Sequence, residues 1–143
     1  MEEINWLSIA IASITPALVG AIWYSKFLFG PIWINDADPP EQKRSTTKVL
    51  LAVLASFLVS LVLSFVLLNF NNSPADQDSV AFDTFQHGAW HGAFIGLIVI
   101  APVLILNGLL EVKNWKRVAI NLGYWVVSLM LMGGVLDAMN HWG

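Results

Sequence analysis

Asp83, His87 and His91 recur at four-residue intervals, so on an α-helix they share one face. At about 1.5 Å per residue, His91 lies roughly 12 Å along the axis from Asp83. Asp137 and His141 repeat the spacing near the C-terminus, and these two runs hold every histidine in the chain. Two imidazoles one turn apart can grip a metal ion from one helix face. A carboxylate and a third imidazole from a neighbouring helix would complete the shell, which makes His87, His91, Asp137 and His141 a candidate metal set. Haem with a histidine axial ligand is a variant. A succession of Asp and His groups can instead relay protons, as in transporters. Against these stands a plain structural reading, with Asp83 and His87 in a wet interface and His91 hydrogen-bonded to another helix. Spacing alone does not choose between them.

The elements that carry these residues are membrane helices by composition. The 143-residue chain is 57% hydrophobic and 12% charged, with a mean hydropathy of +0.67. Soluble domains carry about 25% charged residues. The net charge of −3 argues against nucleic acid as a partner, because phosphate binding needs clustered Lys and Arg. No cysteine is present, so disulfides, thiolate catalysis and cysteine-based metal centres are excluded. A span needs about 20 apolar residues, and four segments qualify: about residues 5–29, 49–70, 82–110 and 118–138. Polar connections rich in breakers separate them, among them Pro31, Pro39 and Pro40 in the first. The expected fold is all-α, a single up-and-down bundle of four transmembrane helices.

All seven basic residues flank the first and third connections: Lys26, Lys43, Arg44 and Lys48, then Lys113, Lys116 and Arg117. The positive-inside rule therefore places both termini on the non-cytoplasmic side. The acidic start lacks the basic region of a signal peptide, so the first span is expected to be retained. Trp23, Tyr24, Trp33 and Trp115 would then lie near the inner interface and Trp6 and Trp142 at the outer one.

Within the spans, Gly88, Gly92 and Gly96 form a stripe that lets another helix approach closely, in the same chain or a second one. Looser rows are expected at Ser13, Ala17 and Ala21 and at Gly133 and Gly134. Pro16 and Pro102 should each kink its helix. Asn107 and Glu111 should face Asn121, Tyr124 and Ser128 as an inter-helix polar cluster. No nucleophile–base pair, P-loop or dinucleotide fingerprint is present.

The stretches INWLSIAIA, GAIWYSKFLFGPIW, HGAFIGLIVIAPVLILNGLLEVK and INLGYWVVSLMLMGGVL resemble a widespread family of small bacterial membrane proteins known only as a domain of unknown function. WYS-x-x-LFG, His91–Gly92 and N-x-GY-x-x-x-SL carry the likeness. The resemblance implies a four-helix protein of the bacterial cytoplasmic (inner) membrane and brings no activity with it. The leading expectation is a non-enzymatic protein that associates through its helices with lipid around it, as a homo-oligomer or an accessory subunit of another membrane protein. The rival is a metal, haem, solute or proton site at the histidines. A membrane enzyme acting on a lipid or quinone is a third reading.

Overall fold

The computed structural model describes residues 5–35, 46–71, 84–111 and 114–140, and among these the structure is all-α. Asn5 opens the first helix, α1 (Trp6–Trp23): its side-chain oxygen accepts the Ser8 N–H at 3.2 Å, satisfying one of the donors a helix start leaves free. Its amide donates to the Met139 carbonyl at 3.1 Å, tying the start of α1 to the end of the last helix. α1 runs unbroken through Pro16. It stops well short of the end of the apolar run, because the backbone folds back on itself after Trp23. Phe29 N–H donates to the Trp23 carbonyl at 3.1 Å and Gly30 N–H to the Ser25 carbonyl at 3.0 Å. A Cβ at Gly30 would stand 2.6 Å from the Tyr24 and Ser25 carbonyl oxygens, so this turn admits only glycine there.

The short α2 (Gly30–Asn35) follows, with Pro31 in its first turn. The long α3 (Thr46–Asn71) turns Ser60, Ser64 and Leu67 inward, and Ser64 Oγ donates to the Ser60 carbonyl at 2.8 Å. Next come α4 (Phe85–Ile95), a π-helical stretch (Gly96–Ile100) and α5 (Ala101–Leu110), which together form one apolar rod. Where a kink is expected at Pro102, the helix instead carries a π-helical stretch just ahead of it. Proline lacks an N–H and its ring crowds the carbonyl four residues back. The helix widens just ahead of it, and Ala101 N–H reaches the Gly96 carbonyl five residues back.

The last helix, α6 (Trp115–Asn140), packs against α1, α3, α4 and α5 and is the hub of the molecule. Its Leu129, Met132 and Leu136 are buried among Ile9 and Ala12 of α1, Leu67 of α3 and Ile95 of α4. The row expected at Ser13, Ala17 and Ala21 is not the seam of α1: Ala17 and Ala21 are exposed. The buried face is Ser8, Ile9, Ala12, Ser13 and Pro16, the one turned to α3 and α6. Trp6–Trp23, Phe85–Leu110 and Trp115–Met139 are each long and apolar enough to cross a membrane, and α3 contains a further apolar stretch, Phe57–Leu67.

Candidate functional site

Thr84 caps α4, its hydroxyl oxygen accepting the His87 N–H at 3.3 Å, and so fixes His87 in the first turn. Gly88 and Gly92 then bring α4 against α6 with backbone touching backbone. A Cβ on Gly92 would collide with the Leu129 carbonyl, one on Gly88 with the Gly133 carbonyl, and one on Gly133 with the Gly88 carbonyl. At Gly96 the nearest atom would be Val126 Cα, at 3.2 Å. The stripe is therefore occupied within the chain. The register it sets is antiparallel, Gly88 opposite Gly133 and Gly92 opposite Leu129, and Phe85 lies over Gly134.

This register carries Asp137 to His87. Nδ1 of His87 and Oδ2 of Asp137 are 2.9 Å apart. The Asp137 side chain is 5% exposed and that of His87 21%. The start of α4 favours a carboxylate beside it, since its first amide groups give that end a partial positive charge. His91, half-buried one turn further on, sets its ring edge-on to His87 with centroids 4.3 Å apart. Two of the four residues in the candidate metal set thus bond each other directly, and a third lies edge-on to His87. Asp83 and His141 lie outside the described residues. Among the described residues, no group of three or more His, Cys, Asp or Glu side chains converges as a metal would require.

The chemistry of the pair follows from its donor inventory. With Asp137 ionised and His87 neutral, the pair has a net charge of −1, and Nδ1 must carry the proton because a carboxylate only accepts. A second proton brings the net charge to zero. The proton between Nδ1 and Oδ2 can then sit on either atom while Nε2 holds the other. Proton uptake does not break the contact.

The opposite end of α6 gathers aromatic rings and amides. Trp23 Nε1–H donates to the Ile120 carbonyl at 3.0 Å, and Tyr24 Oη–H to Asn121 Oδ1 at 3.1 Å. Tyr124 Oη–H donates to the Pro16 carbonyl at 3.0 Å, and the two tyrosine rings lie 5.4 Å apart. Two of the three stretches that carry the family likeness, WYSKFLFG and NLGYWVVSL, meet here. Of the expected polar cluster, Asn121 and Tyr124 bond to α1 and its following turn, and Ser128 is buried one turn beyond Tyr124. Asn107 lines a cavity together with Asn121, and Glu111 is exposed where α5 ends. Sequence reasoning assigns Trp33 to an interfacial belt and Arg117 to the third connection. The structure stacks them, with the guanidinium carbon 4.4 Å from the ring centroid. Nothing in their spacing could have paired them, because the contact joins distant parts of the chain.

An all-α chain whose apolar helices can cross a membrane, with a histidine–carboxylate pair set into a helix seam, defines a helical protein of the membrane class. Residues 7–137 match the profile of DUF1761, a family described as protein of unknown function, and the chain belongs to that family. No curated protein and no solved structure matches it.

Proposed function

We propose that this is a proton-handling protein of the bacterial cytoplasmic membrane, with four spanning helices and the His87–Asp137–His91 site in the half of the bilayer facing away from the cytoplasm. The orientation rests on the seven basic residues, all of which belong to connections at the other end of the helices. The observation that carries the proposal is the 2.9 Å contact between His87 and a nearly buried Asp137. An ionisable group within a membrane bundle is costly, and such groups mark ion and proton paths. Here the cost is met by a partner that can exchange a proton with it in place. His91, edge-on to His87, is the next group along the same face.

The test is proton flux in vesicles with an entrapped pH-sensitive dye. After an external pH step, vesicles holding the wild-type protein should equilibrate faster than protein-free ones. His87→Gln and Asp137→Asn should bring the rate down to the protein-free level. Equal rates for wild type and both variants would sink the proposal.

A further inference from the structure

At the end of α6 remote from His87 is a cavity of about 170 Å³, with Trp33 of α2, Leu104 and Asn107 of α5, and Arg117 and Asn121 of α6 in its walls. A cavity of roughly 150 Å³ takes up a ligand the size of benzene, so a small molecule or a headgroup fits.

The polar part of the wall presents hydrogen-bond donors. Arg117 Nε is buried and has no hydrogen-bond partner among the described residues. Stacking on Trp33 holds the guanidinium plane. The Tyr24 hydroxyl takes up Asn121 Oδ1, which leaves the Nδ2 amide of Asn121 to donate. A buried donor with no partner is costly, and more so when it is charged. Arg117 also sits in the first turn of α6, where the positive end of the helix dipole disfavours a cation. An anion in the cavity offsets the guanidinium charge at this helix start. The fork of a guanidinium matches the oxygens of a phosphate group, and Leu104 beside it suits an apolar substituent.

We propose that this cavity binds the phosphate group of a small or lipidic ligand, Arg117 and Asn121 donating to its oxygens and Trp33 fixing the guanidinium. The ligand is either a soluble phosphate compound or a phospholipid headgroup entering from the bilayer.

The chain has two arginines, Arg44 and Arg117, so the Nε–H resonance of Arg117 can be read by nitrogen-15 NMR. Its loss in Arg117→Lys assigns it, and Arg44 is the internal reference. The protein is held in dodecyl maltoside, whose headgroup is uncharged, and titrated separately with inorganic phosphate and with a short-chain phosphatidylglycerol. A saturable shift of the Arg117 resonance alone is expected. A response to inorganic phosphate identifies a soluble ligand, a response to phosphatidylglycerol only identifies a headgroup, and no response to either overturns the proposal. Asn121→Asp places a carboxylate in the wall and should weaken binding by about tenfold or more. Asn107→Asp, at an exposed position, adds the same charge should the first variant fail to fold. Affinity unchanged in a folded variant of either kind overturns the assignment to this cavity.

Discussion

The two ends of α6 are packed by opposite means. From Leu129 to Asp137 it meets α4 through glycines, with carbonyl groups of each helix where the other's side chains would stand. From Arg117 to Tyr124 it meets the rest of the chain through rings and amides, and a cavity is left between them. In a bilayer the apolar surface of a helix gains little by leaving lipid, so close van der Waals contact and inter-helix hydrogen bonds hold helices together. Glycines maximise the first at one end, and Trp23, Tyr24 and Tyr124 supply the second at the other. A backbone-to-backbone seam has one register and fixes the His87–Asp137 distance. Rings that meet edge to face leave room, and that room is where a ligand can enter.

The comparison is broken most directly at its tightest point. In Gly92→Ala the new Cβ would meet the Leu129 carbonyl, which is backbone and cannot swing aside. Overpacking of this kind costs about 1–3 kcal/mol and at times more. Gly20→Ala is the control at the other end. Its Cβ would lie 3.4 Å from the Tyr124 ring, an ordinary contact, and alanine favours a helix over glycine by about 1 kcal/mol. Thermal unfolding in detergent should show a large fall in Tm for Gly92→Ala and no fall for Gly20→Ala. Equal shifts would mean that the two ends are packed alike.

A sharper version removes the polar pair that the seam positions. His87→Ala and Asp137→Ala should each cost about 1–3 kcal/mol, because each removes the 2.9 Å contact and Asp137 is nearly buried. The double variant should cost less than the sum. Hydrogen bonds measured by double-mutant cycles in a membrane protein average about 0.6 kcal/mol, with a maximum near 1.7. The denaturing-detergent titration of the four proteins gives the coupling directly. Strict additivity would reduce the 2.9 Å contact to an accident of packing.

How much of this could be read beforehand differs between the ends for a physical reason. The length of an apolar run depends only on the run itself, and Trp6–Trp23, Phe85–Leu110 and Trp115–Met139 are each apolar enough to cross a membrane. The Gly88–Gly92–Gly96 stripe and the alignment of His87 with His91 follow from helical period alone. The partner of the stripe does not, because α6 offers its own glycines only once the antiparallel register is known. The early end of α1 escaped because Phe27, Leu28 and Phe29 prolong the apolar run past Lys26, and the turn there depends on backbone bonds to Trp23 and Ser25. Arg117 and Trp33 escaped because helices that are apolar all round give no periodic signal of which face meets which.

The smallest effect separates two tyrosines that look equivalent. Tyr124 donates to the Pro16 carbonyl, which lies within the bonded ladder of α1, so Tyr124→Phe removes a bond and strands nothing. Tyr24 donates to the side-chain oxygen of Asn121, and Tyr24→Phe leaves that half-buried amide oxygen without its partner. Tyr24→Phe should therefore be the costlier change, by about 0.5 kcal/mol, within the range of a single hydrogen bond. It also frees the Asn121 amide to rotate, so that Nδ2 is no longer held ready to donate. If Asn121 is part of a phosphate site, Tyr24→Phe should weaken the Arg117 response to the ligand while Tyr124→Phe leaves it as in wild type. The same pair of variants measured in the proton-flux assay should match wild type, since neither ring touches the His87 end of the helix. A loss of flux in Tyr24→Phe would mean that the two ends of α6 are coupled, and that the glycine seam transmits what it was taken only to hold.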